Sequence, residues 1–334
     1  MTRDEGLAAP SLLEIRNLQV GFATEHGYMP VVTGVDMSID RGESVALVGE
    51  SGCGKSITAL SIMRLLDIPG CSGAEKLQFE GRELQLTGEA ELQSLRGDRV
   101  SMIFQDPMTA LNPVFTVGDQ VAEVFRLHRK MGDAESRRAA CEMLGKVGIP
   151  EPERRCAEYP HQLSGGMRQR VLIAMAVALK PALLIADEPT TALDVTIQAQ
   201  VLDLMERIQK EMGMALLLVT HDLAVVAETA SRVMVMYCGE IVEEAPVEAI
   251  FKDPWHPYTE GLMKAMPKLA GSRGEKLYQI PGTVPHPSER AEGCRFEPRC
   301  EKATAECKAV HPELIRSGDR AVRCLLRRNG GGRR

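Results

Sequence analysis

The sequence predicts an α/β protein with a doubly wound core, a helical insert and a small irregular cysteine-containing tail. Three observations carry that expectation. Short, almost wholly apolar runs alternate with amphipathic helical stretches, two helix-like segments in succession break the alternation over residues 116–148, and glycine and proline multiply beyond Pro267. Near-continuous hydrophobicity suits parallel strands covered on both faces. Strand–helix alternation then points to a doubly wound sheet.

Taken in order, Ser44–Val48 is the first buried-strand run, followed by a glycine-rich turn and a helical stretch from Lys55 to Leu66. Arg99–Phe104, Ala182–Ala186, Met214–Val219 and Arg232–Tyr237 are four further runs. Between the second and third of these, Ile197, Val201, Leu204, Met205 and Ile208 recur at helical spacing. Gly213 stands where a left-handed cap would close that helix. Thr116–Arg129 and Ala134–Lys146 read as the paired helices of an insert spanning about 106–165, the second stopping at Gly148 before Pro150. The glycines and prolines from Gly271 to Pro287 read as a linker, which puts the boundary near residue 268 and leaves 268–334 as the tail.

Composition bounds the function. A chain of 334 residues, 44% hydrophobic and 26% charged, has ample core-forming material and is neither disordered nor fibrous. A net charge of −6 and a pI of about 5.8 argue against binding nucleic acid through bulk positive charge. The six arginines between Asp319 and Arg334 read as a solvated basic terminus. The longest apolar run, Val171–Leu179, has nine residues, against roughly 18 for a membrane-spanning helix. Met1–Glu5 carries acids and no apolar stretch follows, so no secretory signal is expected. The nine cysteines are odd in number, and Cys53, Cys141 and Cys238 lie within apolar runs, which suits reduced thiols rather than a disulfide framework.

The sharpest local signal is Gly49-Glu50-Ser51-Gly52-Cys53-Gly54-Lys55-Ser56, between a strand run and a helical stretch. Such a loop turns backbone N–H groups inward as an anion nest at a helix N-terminus. Lys55 supplies a compact charge for the β/γ-phosphates and Ser56 a hydroxyl for Mg²⁺. The run Leu183–Ala186 ends in Asp187-Glu188, where Asp187 can face the metal and Glu188 the attacking water as general base. Leu163-Ser164-Gly165-Gly166-Met167 opens a long apolar helix and forms a second N–H nest. One nucleotide needs one phosphate loop, so a second nest implies that two chains each contribute half a site.

At these elements the sequence closely resembles the ATP-binding subunits of ABC transporters, over residues 12 to about 265. The resemblance implies a P-loop NTPase core with an N-terminal antiparallel β subdomain, a Walker A loop at 49–56 continuing into Ile57, and a signature at 163–167. It further implies a Walker B strand at 183–188, a D-loop at Ala192-Leu193-Asp194, a Q-loop at Gln105 and a switch histidine at His221. Met167 stands where many members carry Gln. By analogy Gln105 touches Mg²⁺ or water, and His221 contacts the γ-phosphate. Phe22, after Leu18-Gln19-Val20-Gly21, is the candidate for stacking on adenine in preference to Tyr28; a strand-packing aromatic is the alternative. Met108, Leu111, Val114 and Phe115 are candidates for receiving a helix of a membrane subunit, or else ordinary core.

Residues 239–267 and 281–300 look like the dipeptide/oligopeptide importer branch, and Ser56–Met63 looks like the first of its two paired ATPases. The resemblance implies a heterodimer with a second homologous ATPase, two membrane permease subunits and an external substrate-binding protein. It also implies peripheral attachment at the cytoplasmic face of the inner membrane and no nucleic-acid partner. Importers of nickel or glutathione, and soluble ABC-type ATPases acting on nucleic acid or ribosomes, are the alternatives. Four cysteines remain, Cys294, Cys300, Cys307 and Cys324, which lack the paired knuckles of zinc ribbons. Single, widely spaced thiols suit a 4Fe–4S cluster better than one tetrahedral ion, and Arg295, Arg299, Lys302, Lys308 and Arg323 would offset its charge. The branch's extension carries the same cysteine pattern. Structural zinc, or four small buried hydrophobes, are the other readings.

Overall fold

The computed structural model describes residues 11–66, 69–105, 110–191, 193–266 and 278–327. Two sheets organise them. β1 (Leu13–Thr24) and β2 (Gly27–Ile39) form a long antiparallel hairpin. β3 (Ser44–Val48) leads into the phosphate loop, while β4 (Gly70–Gly73) and β5 (Lys76–Phe79) pair with β1, and β6 (Arg82–Glu83) with β5. This sheet is the N-terminal antiparallel subdomain.

The second sheet is the doubly wound core. β7 (Val100–Ile103), β8 (Leu183–Asp187), β9 (Ala215–Thr220) and β10 (Arg232–Tyr237) join β3 in the parallel order β10-β3-β9-β8-β7. Every residue of β8 and β9 is buried, which is why these strands read as unbroken apolar runs. One face packs on the helices of the insert and on helix Val195–Met212, the other on the antiparallel subdomain. Helix Val117–Arg129 starts at Thr116, whose side chain caps Asp119 N–H. Helix Val195–Met212 stops at Gly213, held at φ 62°, as the glycine there requires.

The C-terminal part completes this same sheet. β11 (Glu240–Pro246) runs antiparallel to β10, and β13 (Arg320–Val322) pairs with β11 and with β12 (Ile315–Ser317). The arginine-rich segment therefore departs from the expected solvated terminus where it is described. Arg320 pairs with the fully buried Glu243 and stacks 3.8 Å from the Trp255 ring centroid, and Arg323 donates to the Ile241 and Pro312 carbonyls. The rest of that terminus, 328–334, and the boundary near 268 lie outside the described residues.

Candidate nucleotide site

Three adjacent strands, β3, β9 and β8, deliver their C-terminal ends to one crevice, the usual place for a ligand on an open α/β sheet. From β3 comes the loop 49–54. A Cβ on Gly49 would lie 2.2 Å from the Met236 carbonyl oxygen, so the loop starts where only glycine fits. Gly52 and Gly54 hold φ of 80° and 109°, in the left-handed region, and helix Lys55–Ile62 follows at once. Lys55 is 4% exposed, and its Nζ donates to the carbonyls of Gly49 (2.8 Å) and Glu50 (3.1 Å). Phosphate oxygens arriving at the loop would compete for that ammonium. Ser51 and Gly52 are exposed. Cys53 is a buried filler whose thiol burial pushes up to about 11, and Ile57 packs against the core beneath the antiparallel sheet.

Asp187 ends β8, and its Oδ1 accepts from Ser56 Oγ at 3.1 Å. Burial pushes this carboxyl up, and the neighbouring Glu188 charge adds to the effect against the opposing Ser56 bond. A buried carboxylate and a hydroxyl in contact are the hard oxygen donors that Mg²⁺ takes, with water and phosphate completing its shell. The residues therefore fit the ion. Glu188 sits in the left-handed region at φ 46°, anchored by its N–H to Val219 O at 2.8 Å. Its Oε2 accepts from Thr191 Oγ1 (2.8 Å) and Gln105 Nε2 (3.2 Å), and its Oε1 lies 3.1 Å from His221 Nδ1. Burial alone would raise this carboxyl, but the Thr191 and His221 bonds and the Lys55 charge outweigh it and hold the group below its ordinary range.

The structure thus brings Lys55, Ser56, Asp187, Glu188, Gln105 and His221 together. It places Gln105 on Glu188 rather than on Ser56 and Asp187, the pair that would face the metal. Ser164 and Gly165 are exposed, and the Ser164 hydroxyl caps Met167 N–H of helix Gly165–Val177 at 3.3 Å. Among the described residues no hydrogen bond joins Ser164–Gly166 to the loop 49–56. Asp194 likewise caps Ile197 N–H at 2.9 Å, and a Cβ on Gly166 would meet Ile197 Cγ2 at 2.6 Å. Ala192 lies outside the described residues. Phe22 is half-buried against the core beneath the antiparallel sheet, paired with Met29 and Gly70, whereas Tyr28 lies across Gly21 and is exposed.

Of the apolar residues expected to form a docking groove, Leu111 belongs to the core at 2% exposure, because it packs with the helical insert. Val114 and Phe115 are exposed, and Met108 lies outside the described residues. A groove of about 370 Å³ is lined instead by Phe104, Ala110, Val124, Leu127, His128 and Met175, and not by Leu111, Val114 or Phe115.

Sequence reasoning missed Tyr258, whose hydroxyl accepts from Glu50 N–H at 2.8 Å, and gave Arg299 another role, offsetting the charge of a cysteine cluster, whereas its guanidinium forks onto Glu50 at 2.7 and 2.9 Å. Nothing local marks them, since they lie 208 and 249 positions from Glu50. Thr191 was also missed, although its place three residues after Glu188 is a signal.

The expected four-cysteine metal site is not formed as an ion's ligand set: among the described residues no three His, Cys, Asp or Glu side chains gather round one point. Neither single-ion zinc nor the expected 4Fe–4S cluster finds support in this arrangement. The four are free thiols in one neighbourhood. Cys294 N–H donates to Cys307 O at 2.8 Å, and burial, reinforced by the other three thiols, pushes Cys294 up to about 12. Cys300 and Cys324 are raised in the same way.

The comparisons with known proteins agree with this architecture. The ABC transporter family model matches residues 32–191, and the model for the oligopeptide/dipeptide transporter C-terminal region matches 242–307. The solved ATP-binding cassette MJ0796, in a dimeric post-hydrolysis state with ADP and Pi, superposes with a TM-score of 0.62 at 27% identity, over 70% of this chain and 98% of that one. CbiO1 of Clostridium perfringens, part of the transporter complex cbiONQ, gives 0.61 at 26% identity, over 73% and 92%. The fold and site are those of an ABC-type ATPase. More narrowly, the chain belongs to the family of ABC transporter ATP-binding proteins that carry the oligopeptide/dipeptide transporter C-terminal region. It is 51% identical over 319 residues to the oligopeptide transport ATP-binding protein AppD of Bacillus subtilis, covering 95% of this chain and 97% of that protein. It is 48% identical over 324 residues to the dipeptide transport ATP-binding protein DppD of Escherichia coli, covering 97% and 99%. No helix among the described residues is long and apolar enough to cross a membrane.

Proposed function

We propose that this chain is the ATP-hydrolysing subunit that energises import of di- or oligopeptides through a membrane transporter. The observation that carries the reading is full-length likeness to peptide-transport ATP-binding proteins, extension included, together with an assembled phosphate loop, Asp187 and Glu188. Residues 12–267 would be the ATP-binding domain and 268–334 the extension. Lys55 and the loop N–H groups would hold the β- and γ-phosphates, and Ser56 and Asp187 would hold Mg²⁺, which supplies charge neutralisation at the phosphates. Glu188 would take the proton of the attacking water, with His221 and Gln105 orienting that water and Phe22 stacking on adenine.

Ser164–Gly166 makes no bond to the chain's own loop, which supports a composite site where each signature faces a partner's nucleotide. We therefore assign a heterodimer with a second ATPase, clamped by two ATP molecules, acting beneath two permease subunits at the cytoplasmic face of the inner membrane. An external substrate-binding protein would deliver the peptide. ATP binds better to the closed clamp, and that difference in affinity drives the permeases between states. The groove beside Phe104 and Leu127 would seat a permease helix. The four free thiols share one neighbourhood, and a 4Fe–4S cluster of structural or redox-sensing role is proposed there on the extension's cysteine pattern.

The test is reconstitution with the permeases, partner ATPase and binding protein encoded beside it. Hydrolysis stimulated by peptide, and not by nickel, glutathione, nucleic acid or ribosomes, is expected; stimulation by one of those instead would overturn the peptide reading. Protein purified without oxygen should be brown, with about four irons per chain. A colourless chain would remove the cluster and leave the ATPase standing.

A further inference from the structure

We propose that Arg299, in the C-terminal extension, is a positioning residue for the phosphate loop: it neutralises Glu50 and fixes the peptide that carries it, so that the loop accepts a nucleoside triphosphate. The inference rests on reading 49–56 as the ATP site. Glu50 is the second residue of the loop and, besides the turn bond its carbonyl accepts from Cys53 N–H at 3.3 Å, it is gripped at three points. Tyr258 Oη accepts its N–H at 2.8 Å, Lys55 Nζ donates to its carbonyl at 3.1 Å, and Arg299 binds its carboxylate in a two-pronged fork at 2.7 and 2.9 Å. Bidentate forks of this kind fix direction as well as charge.

Arg299 is itself immobilised. It is 7% exposed, its Nε donates to Pro281 O at 2.8 Å, and its guanidinium lies 5.7 Å from the Tyr237 ring centroid. Tyr237, Tyr258 and Phe296 pack with centroids 4.7 to 5.3 Å apart, so the fork and the tyrosine hydroxyl share one aromatic support.

Charge decides what the contact does. A carboxylate on the loop's second residue opposes the polyanion that the loop is shaped to bind, and the Arg299 fork cancels it. When Lys55 turns to the phosphates it releases the Glu50 carbonyl, which keeps the turn bond from Cys53 N–H at 3.3 Å, and Tyr258 and Arg299 are then the contacts from outside the loop that hold its entry. Removing the guanidinium leaves a partly buried, uncompensated anion at the site. It also frees the loop.

The experiment measures binding of a fluorescent MgATP analogue to the full chain, with thermal melts as the folding control. Arg299→Gln should weaken binding about tenfold, and the loss should shrink at high salt because its origin is Coulombic. Adding Glu50→Gln to that variant should restore affinity to within about threefold of wild type. Arg299→Lys should fall between, since an ammonium keeps the charge and lacks the fork. In the reconstituted transporter Arg299→Gln should raise KM for ATP and leave kcat within about twofold. If Arg299→Gln alone does not fold, the double variant and Arg299→Lys decide the same question. Wild-type affinity in Arg299→Gln, or a double variant as weak as the single one, would overturn the proposal. A folded wild-type chain that binds no MgATP would overturn the ATP-site reading itself, and this inference with it.

Discussion

Replacing Glu188 by Gln separates chemistry from binding at this site. The carboxylate has three partners, Thr191 at 2.8 Å, His221 at 3.1 Å and Gln105 at 3.2 Å, and an amide of the same shape keeps an oxygen for at least one of them. The Thr191 hydroxyl can reverse to accept, so the cost in stability is expected to stay within about 1 kcal/mol. What disappears is the ability to take a proton from water. A general base contributes roughly 10²–10⁴-fold, equivalent to about 3–5 kcal/mol of barrier. MgATP binding should persist, because Lys55, Ser56 and Asp187 are untouched, and should tighten slightly because the Glu188 charge that disfavours Asp187 ionisation is gone. The assay is steady-state phosphate release by the reconstituted transporter beside equilibrium nucleotide binding. Turnover within a few-fold of wild type would refute the assignment of Glu188 as base.

Gly166→Val forces side-chain atoms onto Ile197, already 2.6 Å from an added Cβ, and should lower stability by about 1–3 kcal/mol in urea melts, with Ile197→Ala relieving part of the loss. Burial holds His256 at about 3, so it is neutral in the fold but protonated in the unfolded chain below about pH 6.5. Stability is therefore full above that pH and falls by about 2 kcal/mol by pH 5, and His256→Asn should flatten the slope between melts at the two pH values. The isolated chain should hydrolyse ATP slowly, with rates rising on addition of the partner ATPase; robust, concentration-independent turnover by the monomer would count against the composite site.

The strands and the phosphate site were legible because their constraints are local. β8, buried on both faces, can only be an apolar run, and it must end in carboxylates if it reaches a metal site. Caps were equally local, as Thr116 and Gly213 each act within four residues of their own position. The β1–β2 hairpin was scarcely visible: its burial alternates unevenly along 12 and 13 residues, and register shifts near Leu18 and Val20 break the period. The facing of single apolar residues was not legible either. Leu111 turned inward, into the core shared with the insert helices, while Phe115, four positions on, stayed exposed. Contacts such as Arg299 to Glu50 leave no trace in spacing, because the sheet brings together positions that the chain keeps far apart.

The texture change beyond residue 267 suggested an appendage, yet the charges of β11 argue that the extension is part of the ATPase fold. Glu240, Glu243 and Glu244 are 3%, 0% and 8% exposed. Burial pushes the Glu243 carboxyl up even with N–H bonds from His256 and Trp255. Carboxylates so placed would be costly on an ordinary edge strand. The extension and the segment leading to it supply the partners: Arg320 to Glu243 at 3.3 Å, Arg316 to Glu244 at 3.0 Å, and His311, Arg295 and Arg323 round Glu240 at 3.2, 3.5 and 3.8 Å. Stripping those cations away would leave Glu240 and Glu243 without a cation, at about 3–5 kcal/mol for each pair broken, while Glu244 would keep Arg232 of β10. The same segment carries Arg299 to the phosphate loop. The edge of the catalytic sheet and the mouth of the nucleotide site thus depend on one stretch of chain, which explains why Arg295, Arg299, Arg320 and Arg323 are largely withdrawn from solvent.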